Sequence, residues 1–339
     1  MKPGDLAGRI ASEVVLVTIA LLIGLASIVI VATYTGAPAT GMLKTMLLSW
    51  EKLPDMVAEY TAVLTLTAMA FSIPLYAGLF NIGAEGSLYI GALAALWTAI
   101  ETGNLLLSLI VGVLTGLLLT GFAGILRVYL NVNEVLSTIM LNWIVYWTLL
   151  YAIIVYLADP VYPQRTIQVP PQARLPHIGG IPLTILVSAL TSILMFVFIR
   201  MTRQGILLRF SGANENACRE RGVNTRYYRI LSMLLAGGLA GLAGSIHILG
   251  YSYSIDVLGG TVRGYGFNGI GVALMGRNDP LGILLASFLF STLLAGSQLV
   301  EPLYGVPKEA ADTAIGIIVI ALAAPEAFRI IYRRVKGWK

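Results

Sequence analysis

Side chains that could move a proton, hold an ion or carry a buried charge are few in this chain. Near or within its apolar stretches lie Glu13, Glu59, Glu85, Glu134, His247, Asp256 and Arg263. Charge inside a membrane is expensive and usually functional, yet most of these residues fall at the ends of stretches. Glu85 and Glu134 are each placed to start a helix at a cytoplasmic end, where a carboxylate favours the positive N-terminal dipole. His247, near the outer end of its stretch, reads as a packing histidine, with ligand contact as the alternative. No series of carboxylates forms a proton relay, no stretch carries a voltage sensor's arginines, and no TVGYG carbonyl filter is present. The chain also has no Walker A pattern, no clustered Cys/His metal ligands and only two histidines. With no P-loop of its own, any driven process here takes its energy from a partner or an ion gradient.

Two stretches combine glycine with a buried amide. Phe80-Asn81-Ile82-Gly83-Ala84-Glu85-Gly86 precedes one short apolar run, and Gly264-Tyr265-Gly266-Phe267-Asn268-Gly269-Ile270-Gly271 interrupts another. An unsatisfied backbone group in a bilayer costs several kcal/mol, so irregular backbone survives only against protein or a water-lined cavity. Paired interruptions in the two halves of a chain point to a translocation path. The shared Phe-Asn suggests a weak repeat of roughly 59–127 against 250–328. The alternative is that these glycines only let helices pack closely.

The strongest concentration of charge is a cytoplasmic loop over 201–229, with Arg200 at its edge. It holds Arg203, Arg209, Arg219, Arg221, Arg226 and Arg229. Within it, Asn214 to Asn224 predicts a short helix closed by Gly222. Glu215 at its start and Arg219 towards its end suit the dipole and are spaced i,i+4. Such a helix across the mouth of a membrane domain could pass a push to the adjacent spans, or it could be a plain basic surface helix.

These features require a bilayer around them. Of 339 residues 57% are hydrophobic and 12% charged, about half the charge of a soluble domain. A helix needs roughly 20 apolar residues to cross, which predicts ten spans near 11–33, 59–79, 85–101, 104–127, 135–158, 181–200, 230–250, 264–277, 281–300 and 311–328. The first is too long for a signal peptide and is expected to be retained. With the N-terminus inside, only Lys44, Lys52, Arg165, Arg174, Arg263 and Lys308 of the 22 Lys+Arg lie outside. This positive-inside bias puts both termini in the cytoplasm and accounts for the net charge of +5 without any nucleic acid. The expectation is thus an all-α polytopic membrane protein, one transmembrane domain over 1–339. Residues 34–58 should form an external segment with an amphipathic piece lying on the membrane. Residues 159–180 should form an external Pro-rich, ordered loop with no long helix. The one cysteine, Cys218, excludes internal disulfides and reads as a reduced cytosolic thiol.

Four segments in order carry a family resemblance: GLFNIGAEGSLYIGALAA (Gly78–Ala95), NEVLSTIMLNWI (Asn133–Ile144), NENACRERGVN (214–224) followed by LAGGLAGLAGS (Leu235–Ser245), and GFNGIGVALMGRNDPLGI (Gly266–Ile283). Over about 60–325 the chain resembles the permease subunits of bacterial and archaeal ABC importers for simple sugars and nucleosides, a group related to branched-chain amino-acid permeases. NEVLSTIMLNW and GRNDPLGI look most like the nucleoside-uptake branch, with simple sugars as the alternative. The resemblance implies a plasma-membrane transport subunit that is not an enzyme and binds no cofactor or metal itself. It implies two ATP-binding partner subunits holding ATP and Mg, a second permease chain (itself or a paralogue) and an external solute-binding protein. By matching position, Asn214, Glu215, Ala217, Arg219 and Gly222 would belong to the coupling helix seated on the ATPase. Asn81, Asn142 and Asn268 are the expected path-lining residues, drawn from their polarity and the interrupted spans. A lone ion-coupled transporter would need buried carboxylates, and a membrane enzyme clustered catalytic groups; the chain offers little of either.

Overall fold

Short polar side chains cap several helices of this protein, whose computed structural model describes residues 26, 28–30, 32–34, 36–256 and 264–323. In order they are α1 Ala39–Leu47, α2 Ser49–Lys52, α3 Pro54–Tyr76, α4 Ala84–Thr102, α5 Leu105–Leu130, α6 Glu134–Ala152, α7 Leu183–Met201, α8 Arg203–Ala213, α9 Glu215–Glu220, α10 Thr225–His247, α11 Tyr265–Met275, α12 Pro280–Tyr304 and α13 Lys308–Ala323. Asn104, Asn133, Thr202, Asn214 and Asn224 cap α5, α6, α8, α9 and α10, each accepting from a backbone N–H of the first turn. Asn131, at φ 53°, ends α5 in the left-handed region.

Among the described residues six helices are long and apolar enough to cross a membrane: α3, α5, α6 continued to Leu157, α7, α10 continued to Ser252, and α12. The chain is therefore a helical, multi-pass membrane protein. The other four expected spans fare differently. The first, 11–33, lies almost wholly outside the described residues. The third is α4 with 19 residues, the tenth is α13 with 16 described, and the eighth, α11, has only 11. At 1.5 Å per residue α11 is about 16 Å long, half of a roughly 30 Å core. Leu118, Trp147, Leu190 and Leu285 are more than half exposed, apolar surface that a bilayer accepts and water does not.

The chain forms two compact units, residues 58–288 and residues 1–57 with 289–339. In the larger, α4, α5 and α10 meet at glycines. A Cβ on Gly116 would stand 2.5 Å from the Gly237 carbonyl oxygen, and one on Gly91 2.6 Å from the Gly241 Cα. A Cβ on Gly237 or Gly241 would collide with the carbonyl oxygens of Gly116 and Gly112. Close approach of this kind is how helices gain dispersion contact where water offers no driving force.

In the smaller unit, α1 does more than lie on a surface. Met42 and Met46 are buried, and Gly296 of α12 has room for no side chain against Met46. Ser49 donates to the Thr292 carbonyl at 2.6 Å, and the Thr45 and Tyr304 hydroxyls are 3.0 Å apart. The Pro-rich segment forms a short helical turn, Pro171–Ala173, and a minimal antiparallel hairpin of β1 His177–Ile178 with β2 Ile181–Pro182. It is laced back onto the end of α10 by Thr166, Val169 and Leu175 N–H groups donating to Ile255, Tyr253 and Leu249.

Candidate functional site

The half-length of α11 has a structural origin at both ends. At its C-terminal end, Arg277 and Asn278 take positive φ, the Tyr76 hydroxyl donates to the Asn278 carbonyl at 2.6 Å, and Arg200 pairs with Asp279 at 2.6 Å. That end therefore lies level with the last turn of α3. At its N-terminal end the backbone N–H groups have no helical partner, and Glu85 supplies one. The Glu85 carboxylate accepts from the N–H groups of Gly264, Gly266 and Phe267, the latter two at 2.6 and 3.3 Å, and from the Tyr89 hydroxyl at 2.6 Å.

Glu85 stands in the first turn of its own helix, as expected, and its carboxylate serves a second helix as well. It is the second residue of α4, but its side chain is buried and caps a different helix. Residues 77–83 link α3 to α4, and Asn81 donates to the Ala70 carbonyl at 3.1 Å on the way. The N-terminal ends of α4 and α11 thus lie together: a Cβ on Gly266 would collide with the Glu85 backbone nitrogen. Glu134 does start its helix, next to the Asn133 cap, and pairs with Arg127 at 3.0 Å.

The three expected asparagines fare differently. Asn81 is fully buried and accepts from the Gly83 N–H at 2.8 Å, so both ends of its amide shape the turn into α4. Asn142, on α6, accepts from the Gly86 N–H at 2.8 Å and donates to the Ile82 carbonyl at 2.9 Å. The two asparagines therefore grip the same turn from opposite sides. Asn268 is half-buried in the first turn of α11, four residues after Gly264. It therefore sits inside a helix, whereas Asn81 precedes one, and the shared Phe-Asn marks two different positions.

Beside Glu85 opens a cavity of about 280 Å³ between α4, α6 and the start of α11. Tyr89, Trp143, Tyr146 and Phe267 give it aromatic walls, completed by Ile139, Asn142 and Gly264. The Trp143 and Tyr146 rings stand nearly perpendicular with centroids 5.9 Å apart, and Tyr89 is tilted 45° to Tyr146 at 6.0 Å. The sequence reading singled out none of these aromatic residues apart from the motif that carries Trp143, and nothing local distinguishes Trp143 from Trp147.

A second polar group surrounds the same helix end. His247 Nδ1 lies 3.1 Å from Glu59 Oε1, both almost wholly buried. The Tyr265 ring is 5.1 Å from His247 and 5.7 Å from Tyr60, while Thr67 donates to the Tyr265 carbonyl at 3.2 Å. His247 has the packing role expected, with a buried carboxylate the sequence did not pair with it.

In the loop, α9 forms where expected. Asn214 Oδ1 accepts from the Ala217 N–H at 3.0 Å. Gly222, at φ +73°, ends the turn as the Val223 and Gly222 N–H groups return to the Cys218 and Arg219 carbonyls. Glu215 accepts from Arg219 at 2.6 Å and from Arg229 at 2.7 Å, which ties α9 to the start of α10. Burial pushes the Glu215 carboxyl up, but the Arg229 and Arg219 guanidiniums outweigh it and hold the group below its ordinary 4.5. A carboxylate lowered in this way stabilises the fold fully above its ordinary pKa and loses that contribution as pH falls through the lowered value. Asn214, Ala217, Arg219 and Gly222 are exposed, whereas Cys218 is buried. One helix earlier, Gly212 of α8 lies against the backbone of Tyr76, Ala77 and Gly78, at the start of the segment that links α3 to α4.

A family model described as "Branched-chain amino acid transport system / permease component" matches residues 53–323. The guanosine ABC transporter permease protein NupP of Bacillus subtilis is 33% identical over 80% of this chain and 81% of its own. The nucleoside ABC transporter permease protein NupB of Lactococcus lactis is 28% identical over 81% and 80%. The glucose ABC transporter permease protein TsgB13 of Haloferax volcanii is 30% identical over 78% and 74%. No solved structure matches the chain.

Proposed function

The chain belongs to the branched-chain amino acid transport permease family, and from that premise we propose that it is the membrane subunit of an ABC importer for nucleosides. In this reading it is one permease domain in the plasma membrane, both termini cytoplasmic, with external segments 34–58 and 159–180. It pairs with a second permease chain, its own copy or a paralogue. An external solute-binding protein delivers the substrate, and two ATPase subunits, which bind ATP and Mg, drive alternation between inward- and outward-facing states. This chain carries no chemistry of its own.

The observation that carries the transport reading is the meeting of the N-terminal ends of α4 and the short α11 at Glu85, beside an aromatic-walled cavity. Discontinuous helices whose ends meet within a membrane domain are the usual setting of a substrate path. Asn81 and Asn142 serve that path by holding the turn at its edge, and Asn268 lies on the helix that borders it. The nucleoside branch is supported by the resemblance to NupP and NupB. A simple sugar is the second reading, favoured by the glucose permease relative.

The complete transporter in proteoliposomes, with ATP inside the ATPase-facing compartment, should accumulate labelled nucleosides with little competition from glucose. Glucose uptake in place of nucleoside uptake would select the second reading, and uptake without the ATPase subunits would sink the importer.

The coupling helix is proposed at Asn214 to Gly222, with Asn214, Glu215, Ala217, Arg219 and Gly222 its docking and shaping residues. Replacing Glu215, Arg219 and Gly222 together should release the ATPase subunits during purification while the chain still inserts into the membrane. Normal co-purification and transport by that variant would place the coupling contact elsewhere.

A further inference from the structure

α8 begins where a membrane span ends. Only Thr202 separates it from α7, and Gly205 lets it fold back closely on the Phe198 and Ile199 backbone. Gly205, Leu208 and Ser211 form its buried side. The opposite side carries Arg203, Ile206, Arg209 and Phe210, all exposed. At 100° per residue the apolar pair, spaced i,i+4, has an arginine on either flank. The helix contains no Asp or Glu.

Beside this face a cavity of about 450 Å³ separates α8 from the last turn of α3, with Leu75, Tyr76, Ile206, Arg209, Phe210 and Ala213 in its wall. Two arginines lie near the Tyr76 hydroxyl, Arg200 and Arg209. Arg200 pairs with Asp279 at 2.6 Å, whereas Arg209 meets no carboxylate among the described residues.

An occupant suited to this place brings negative charge and hydrocarbon together. Water would leave Phe210 and Ile206 uncovered, and bilayer hydrocarbon alone would leave Arg209 without a counter-charge. A phosphodiester matches the guanidinium fork, and an acyl chain covers the apolar pair. A zwitterionic lipid adds its own ammonium to a face that already holds two cations, and an anionic lipid does not. We propose that this cavity is a binding site for one anionic phospholipid, its phosphate on Arg209 and an acyl chain along Ile206 and Phe210. The site requires only that the ends of α3 and α7 lie at a membrane edge, whatever the substrate carried. Its occupant fills the space beside the contact of Gly212 with residues 76–78.

The complete transporter, purified in a neutral detergent, is titrated with dioctanoyl-phosphatidylglycerol and read by native mass spectrometry. The lipid should be retained, and dioctanoyl-phosphatidylcholine should bind more weakly. Arg209→Gln should weaken phosphatidylglycerol binding roughly fivefold, and Arg209→Lys, which keeps the charge without the fork, should fall between. Arg226→Gln removes an exposed charge elsewhere in the loop and should change nothing. Ala213→Phe fills the cavity without removing a charge and should also weaken binding, which decides the matter if Arg209→Gln fails to assemble. Equal binding of phosphatidylcholine, or an equal loss in Arg226→Gln, overturns the site. Displacement of the lipid by inorganic phosphate would make the ligand a free anion and overturn the lipid. Loss of the ATPase subunits from Arg209→Gln in every lipid would give this face to those subunits instead.

Discussion

Glu85→Ala should reduce ATP-driven uptake on the order of a hundredfold or more while the chain still reaches the membrane. The side chain serves three N–H groups at the start of α11, those of Gly264, Gly266 and Phe267. Each buried donor left without a partner costs about 1–3 kcal/mol, and no water of the bulk phase replaces the carboxylate in a membrane interior. The first turn of α11 must then unwind or admit water, and the cavity loses Gly264 and Phe267 from its wall. Glu85→Gln retains one acceptor oxygen and should fall between the alanine variant and the wild type. Tyr89→Phe removes one donor of four and should cost less than about tenfold. Uptake by Glu85→Ala within twofold of wild type would show that α11 does not depend on this cap.

The second large effect is expected at the glycine contact of α5 and α10. Gly241→Val places a branched side chain where the carbonyl oxygen of Gly112 and the backbone of Gly116 already lie. Overpacking costs typically 1–3 kcal/mol where neighbours can shift; here the neighbours are main chain in two helices. The variant should lose its monodisperse peak in detergent and should not assemble with its partners. Gly238, on the same helix, is the control. A Cβ there would stand 3.7 Å from Val113 Cγ1, an ordinary contact. Gly238→Ala should leave thermal stability unchanged or raise it by up to about 1 kcal/mol through helix propensity. Equal behaviour of the two variants would mean that the close approach does not hold these helices together.

Much of the architecture was readable from local patterns. Span limits came out within a few residues, as for the predicted 104–127 against Leu105–Leu130. The short α9 was legible because a capping asparagine, an i,i+4 ion pair and a closing glycine are all within one turn of what they act on. The second role of Glu85 was missed for the opposite reason. Its partners Gly264 and Gly266 lie 179 and 181 residues away, and a carboxylate near the start of a helix is explained well enough by its own dipole. Asn81 and Asn142 were singled out for polarity, but whether an amide faces a cavity or holds a turn depends on what packs against it. The aromatic wall was hidden by the apolar setting itself: Trp143, which lines the cavity, and Trp147, which does not, are both more than half exposed and look alike in the sequence.

The contact of Gly212 with residues 76–78 has a mechanical consequence. A side chain wedged between two helices can yield to pressure by changing rotamer, and so absorbs small displacements. Gly212 has none, and its neighbours there, the Tyr76 carbonyl and the Gly78 peptide, are main chain. Packed interiors transmit strain, and here the contact is main chain on main chain, beside a cavity of about 450 Å³ lined by Tyr76, Arg209 and Gly212: α8 bears on residues 76–78 at a single hard point, with open space next to it.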